Sequence, residues 1–301
     1  MVHLLFIYYC YLTKVYFLQN IKTPTTSTMF FLFVNNVDII FLLFMKDGDY
    51  MAIACVTGTS SGIGMEFAKR LSRMNYELIL VSRNTKVLEN MAKKLPCKCE
   101  IITCNLADEV SCKKLADYLK TKKLTLLVNN AGFGDWGLFD TTDLDKDLDM
   151  INVNIKALHI LTKELLQDFK KRNYGYILNV ASSAGLLDGG PYMASYYATK
   201  AYVTSLTSSI YEELREANSN VHISMLCPGP VDTNFNNVAG VSFALSGISA
   251  SYCAKYALSE LFKGKLTIVP TFTMKAAVLA GKFAPRKLLI RITAKQQLKK
   301  G

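Results

Sequence analysis

The chain has 301 residues, 50% of them hydrophobic and 20% charged, enough for one large α/β domain with a full core and too apolar for a disordered chain. Its formal net charge of +11 is uneven: no acidic residue follows Glu260, and ten basic residues there leave the body nearly neutral, which argues against nucleic-acid binding as its main role. Eight cysteines lack paired zinc spacing, so they read as reduced thiols of a cytoplasmic protein and no metal is expected.

Residues 1–45 form an apolar N-terminal extension rich in Phe, Leu, Ile, Tyr and Asn. Its runs Val2–Leu18 and Met29–Met45 are short for a membrane span, which needs about 20 residues. Asn35, Asn36 and Asp38 interrupt the second run, and no small-residue cleavage site follows the first. Three readings are open: a membrane anchor, an uncleaved targeting segment, or translation that starts at Met45 or Met51. The AT-rich codons of these residues favour the last; expression of the segment would make the protein membrane-associated.

From residue 46 to 260 a catalytic domain is expected, followed by a basic helical tail over 261–301. Residues 52–56 are a short apolar run, as a buried parallel strand should be. They lead into Thr57, Gly58, Thr59, Ser60, Ser61, Gly62, Ile63 and Gly64, and then a helical pattern carried by Met65, Phe67, Ala68 and Leu71. Strand, glycine turn and helix is the context of a dinucleotide site: the backbone approaches a pyrophosphate closely, and the helix N-terminus offers it free N–H groups.

A second strand, 77–81, ends in Ser82, Arg83 and Asn84. An acid at this place would bind ribose hydroxyls and repel a 2′-phosphate. Arg83 stands there instead and can pair with a phosphate, with Ser60 or Ser82 assisting, so NADP (NADPH) is expected over NAD. Further strands are expected at 101–104 and 124–128, with helices near 87–95 and 108–119 between them. The alternation predicts βαβ units: a Rossmann-type, doubly wound parallel β-sheet flanked by helices.

A long helix is predicted over 143–169, containing Asn154, then a strand at 176–180 ending in Ser182 and Ser183, then a helix opening at Ser195–Lys200. Tyr196 and Lys200 are four apart and share a helix face. A tyrosine with a pKa near 10 is a poor proton carrier at neutral pH, and a neighbouring ammonium should lower that value. The phenol could then exchange a proton with a carbonyl or alcohol oxygen, and Ser183 could hydrogen-bond the same oxygen.

From about Met51 to Glu260 the chain resembles the short-chain dehydrogenase/reductase family, in its NADP-preferring bacterial branch with a basic tail. Thr57, Gly58, Gly62 and Gly64 match its TGxxxGxG motif, and Asn129, Asn130, Ala131 and Gly132 its NNAG motif, which steadies the central sheet in that family. The resemblance implies a catalytic tetrad of Asn154, Ser183, Tyr196 and Lys200. The family's Ser-to-Tyr spacing selects Ser183 over Ser182, and the lysine four residues on selects Tyr196 over Tyr192 and Tyr197. It further implies that Lys200 grips the nicotinamide ribose, that Asn154 holds a relay water, and that Pro228, Gly229, Val231 and Thr233 lie near the carboxamide. Asn105–Leu106 replaces the family's Asp-Leu beside the adenine.

The implied activity is hydride transfer between nicotinamide and a carbonyl or alcohol. A lid containing Phe235, Val238, Val241, Phe243, Leu245 and Ile248 points to an apolar ketone or aldehyde. Two alternatives are a non-catalytic NADP-binding regulator and a membrane-associated reductase of acyl or lipid ketones. The tail, with Leu288, Leu289, Ile290, Ile292 and Leu298 among basic residues, would suit anionic lipid or pack on the domain. The family also implies a homodimer or homotetramer.

Overall fold

The computed structural model describes residues 52–233, 235, 239 and 247–298, and the backbone of five short strands within 15–46. The chain divides into two compact units, Met1–Met51 and Ala52–Gly301. In the first, Val15–Phe17 pairs antiparallel with Leu32–Val34, and Ser27–Phe30 pairs with Ile21–Lys22 and Leu43–Lys46. The remaining expectations for 1–45 fall outside the described residues. Among the described residues, no helix is long and apolar enough to cross a membrane.

The second unit is built on seven parallel strands: β1 (Ile53–Thr57), β2 (Glu77–Ser82), β3 (Cys99–Thr103), β4 (Leu126–Asn129), β5 (Gly175–Val180), β6 (Val221–Leu226) and β7 (Thr267–Ile268). They lie in the order β7-β6-β5-β4-β1-β2-β3. The chain winds outward from β1 to one edge, returns to β4 and winds to the other. This is the doubly wound arrangement expected from the alternating pattern, and its switch point lies between β1 and β4.

Successive side chains of the central strands feed two cores, because a strand alternates faces every residue. Ala54, Val56, Leu78, Leu80, Leu126 and Val128 face one side, with Phe67 and Leu71 of α1 (Gly62–Ser72), Leu88 of α2 (Thr85–Ala92), and Leu258 and Leu261 of a later helix, Ala250–Phe262. Cys55, Ile79, Val81 and Leu127 face the other, with Leu115 and Leu119 of α3 (Glu109–Lys120). Each fully buried leucine contributes roughly 1.5–3 kcal/mol of transfer free energy.

The long helix predicted over 143–169 is two helices joined by a wider turn. α4 (Leu144–Ile151) passes into a π-helical turn, Asn152–Ala157, and then α5 (Leu158–Arg172). α6 (Ala194–Glu216) follows β5. A buried polar chain links β4 and β5 to α5 and α6: Asn129 Nδ2 donates to Thr162 Oγ1 and Asn179 Oδ1, and Asn179 Nδ2 donates to Thr207 Oγ1, all at 3.0 Å.

The helix Ala250–Phe262 is α7; α8 (Phe272–Gly281) and α9 (Arg286–Leu298) complete this unit. α9 turns Thr293 and Gln297 inward, each 2% exposed, while Leu288, Ile292 and Leu298 stay at the surface.

Candidate active site

The carboxyl ends of β1, β2, β4 and β5 open into a cleft of about 520 Å3. At its first end the backbone does the shaping. Gly58 has φ +70°, a left-handed conformation open to glycine at no steric cost. A Cβ on Gly64 would lie 2.3 Å from the Gly58 carbonyl oxygen and 2.4 Å from Asn130 Nδ2, so turn and helix can nest only without one. Asn130 Nδ2 donates to the carbonyls of Thr57 (2.9 Å) and Gly58 (3.2 Å), and the Thr57 hydroxyl accepts from the N–H groups of Asn130 and Ala131.

Ser61 heads α1 without a side-chain cap, and no acid stands in the first turn. The leading N–H groups therefore face the cleft as an anion cradle. This is the observation on which a dinucleotide pyrophosphate fits.

Beyond β2, the Ser82 hydroxyl accepts from Asn84 N–H, and Asn84 caps α2 through Val87 N–H. Both neighbours are thereby engaged in the turn. Arg83 between them is exposed and, among the described residues, has no hydrogen-bond or ion-pair partner. It lines the same cleft as Ser60, Ser61, Gly62 and Ile63. Asn105 and Leu106 line it too, with Asn105 Oδ1 already accepting from Ala107 N–H.

At the second end stand Ser183, Tyr196 and Lys200, with Ala131, Gly132, Pro228, Gly229, Val231 and Thr233 along the wall between. The structure thus brings together every expected site residue except two. Gly64 is used in packing. Asn154 is 1% exposed behind the wall, where both its amide hydrogens are taken, by the Phe133 carbonyl (2.9 Å) and Thr199 Oγ1 (3.1 Å), and its Oδ1 accepts from Phe133 N–H. The π-helical turn aims Asn154 this way, a widening common at functional sites. Its side chain ties the loop after β4 to α6.

Two expectations are corrected. The serine that acts on the Tyr196 phenol is Ser182, which the spacing passed over: its hydroxyl draws the phenol's pKa down, while its Oγ also accepts from Ala184 N–H at 3.1 Å. Ser183 instead opens a 3-10 turn, its N–H donating to the Pro228 carbonyl at 2.8 Å. Residues next to each other after a strand face opposite ways, and counting along the chain does not tell which one meets α6.

The second correction concerns charge. Burial pushes the Tyr196 phenol up to about 12, with the Ser182 hydrogen bond acting the other way. Burial likewise lowers Lys200 to about 8. Its Nζ donates to the Val180 carbonyl at 2.9 Å and lies 5.8 Å from the Tyr196 ring centroid. Withdrawal from water outweighs the expected pull of the ammonium on the phenol.

The wall around Tyr196 is apolar: Phe133, Trp136, Leu187, Met193 and Phe235 pack there, with the Phe235 ring centroid 5.5 Å from that of Tyr196. Of the expected lid, Val238, Val241, Phe243 and Leu245 lie outside the described residues; Ile248 pairs with Val231 in a two-residue parallel strand. Two residues that the sequence reasoning missed complete the wall, Tyr197 of α6 and Gln297 of α9. Tyr197 was legible only as a tyrosine without a lysine four residues on, and Gln297 carried no local signal.

A family model described as short chain dehydrogenase matches residues 52–240. The chain is 32% identical over 186 residues to a 3-oxoacyl-[acyl-carrier-protein] reductase of Rickettsia conorii, covering 60% of this chain and 73% of that protein. It is 31% identical to a very-long-chain 3-oxoacyl-CoA reductase of Kluyveromyces lactis, covering 65% of this chain and 63% of that one. In fold it is similar to a short-chain dehydrogenase of Sphingobium yanoikuyae in complex with NADPH (TM-score 0.70, 24% identity, 77% of this chain and 93% of that one). A Burkholderia phymatum short chain dehydrogenase/reductase in complex with NAD is equally similar (TM-score 0.70, 22% identity, 81% and 96%).

Proposed function

The chain belongs to the short-chain dehydrogenase family, an oxidoreductase using NAD(P) on carbonyl and alcohol groups, and from that premise we propose that it is an NADPH-dependent reductase of apolar ketones or aldehydes. The observation that carries this reading is the buried Tyr196 phenol beside Ser182, its ring centroid 5.8 Å from Lys200 Nζ, at the apolar end of a cleft whose other end holds Arg83, which has no hydrogen-bond or ion-pair partner among the described residues.

When bound, nicotinamide supplies the hydride. The residues of the chain do the rest. The carbonyl oxygen of the substrate is taken between the hydroxyls of Ser182 and Tyr196. Raised well above neutral, the Tyr196 phenol is protonated and so is a donor, ready to deliver its proton as negative charge grows on that oxygen. The Lys200 ammonium offsets the charge left on the phenolate, and the Ser182 hydroxyl steadies the oxyanion. Asn154 is a positioning residue here, holding Phe133 and Thr199 in place.

The preference for NADPH rests on Arg83. Substitution Arg83→Asp should turn it towards NADH by about 10–100-fold in the ratio of dissociation constants, because a charge-assisted phosphate contact becomes a repulsion. Titration of both cofactors into the full chain measures this, and an unchanged ratio would return Arg83 to the solvent. The apolar wall also admits a 3-oxoacyl chain, the group named for both curated relatives, and turnover of 3-oxoacyl thioesters tests that substrate class directly.

A further inference from the structure

We propose that Gln297, near the end of α9, reads the substrate: its side-chain carbonyl accepts a hydrogen bond from a hydroxyl or N–H on the carbonyl compound. This inference rests on the reductase reading and names a second feature of the same substrate. Gln297 lies 100 residues beyond Tyr197 in sequence, yet its Nε2 donates to the Tyr197 hydroxyl at 2.5 Å. Its backbone carbonyl accepts from the Trp136 indole N–H at 3.2 Å. Both ends of the residue are therefore held, and the residue is 2% exposed. The remaining atom, Oε1, is buried and has no hydrogen-bond partner among the described residues, while Gln297 lines the cleft beside Tyr196 and Tyr197.

A buried amide oxygen without a donor is unfavourable, and such a group in a site calls for a reason. The orientation of α9 argues the same way. A helix seated for packing alone would bury its leucines. This one half-buries Leu289 and Ile290, leaves Leu288 and Ile292 at the surface, and gives its two most buried positions to Thr293 and Gln297. Thr293 satisfies itself on the Leu289 carbonyl at 2.9 Å, so the free acceptor is left to Gln297. The substrate this wall fits has an apolar body against Phe133, Met193 and Phe235 and one hydrogen-bond donor that meets Oε1.

The test uses the one tryptophan of the chain, Trp136, whose indole is bonded to Gln297 and stacked on Tyr192 at 5.9 Å. Its fluorescence is followed while the full chain, with and without NADP+, is titrated with methyl alkyl ketones carrying a terminal hydroxyl and with their O-methyl ethers, over a series of chain lengths. At one length or more the hydroxy ketone should bind about tenfold more tightly than its ether. In Gln297→Met that ratio should fall to about one, with affinity for the ether changed by less than about threefold. Parity at every length in the wild type, or a preference that survives in Gln297→Met, would overturn the proposal. If that variant does not fold by circular dichroism, the wild-type ratio decides alone. A binding preference without turnover of any ketone would count against the reductase reading and leave the role of Gln297 standing.

Discussion

The two ends of the cleft are made in different ways. At the dinucleotide end, main-chain atoms do most of the work: the Gly58–Gly64 turn, the uncapped start of α1, and the Asn130 side chain stitched to two carbonyls all come from short, contiguous segments. At the carbonyl end, side chains do it, and they come from β5, α6, the loops after β4 and β6, and α9. The first end tolerates little change because space is set by backbone. The second can be altered residue by residue, which is where one family acquires different substrates.

Substitutions that separate the two ends sharpen this contrast. The largest effect should come from Tyr196→Phe, which removes the proton donor and leaves the cradle untouched. Reduction should fall about 10²–10⁴-fold in kcat/KM while the NADPH dissociation constant stays within about twofold. A parallel loss of cofactor affinity would mean that the ends are not separable. Next in size is Ser182→Ala, expected to cost about 10²-fold in kcat, against little change for Ser183→Ala. Steady-state kinetics of the pair decides between geometry and spacing, and the reverse order would restore Ser183.

The smallest effect is in pH. Lys200, lowered to about 8, is charged below that pH and neutral above it, whereas Tyr196, raised to about 12, keeps its proton throughout. Reduction should therefore be level on the acid side and decline as pH rises through about 8, at most tenfold per unit, in a profile of kcat/KM. A decline that begins only near the tyrosine's value would remove Lys200 from the reaction.

The dinucleotide end was readable in the sequence because its determinants are local. A strand, a glycine turn and a helix follow one another within residues 53–72, and each announces itself by period or composition. Tyr196 and Lys200 were readable for the same reason, being one helical turn apart. What escaped notice depends on direction or distance. Ser182 and Ser183 differ only in the way they face. The π-helical turn at Asn152–Ala157 keeps the apolar pattern of an ordinary helix while shifting where Asn154 points. Gln297 meets Tyr197 across 100 residues, through a helix whose basic and apolar residues suited lipid or packing on the domain equally and gave no sign of a cleft. The pKa of Tyr196 was misjudged because burial, which acts on both partners, is a property of the folded chain alone.

The chain of amides and hydroxyls between β4 and β5 has a consequence for the alignment of the sheet. Asn129 and Asn179 are partners in the register of β4 and β5. A slip of one residue would set Asn129 against Leu178 or Val180 and break its bond to Asn179, leaving a carboxamide unpaired in a dry interior. Apolar strands buried on both faces are poor at rejecting such slips, since a valine packs much as a leucine does. Here the mismatch is made expensive at a single rung, directly below the residues that act on the substrate. The network works as a register lock: a misaligned sheet, and the spoiled cleft that would come with it, is disfavoured.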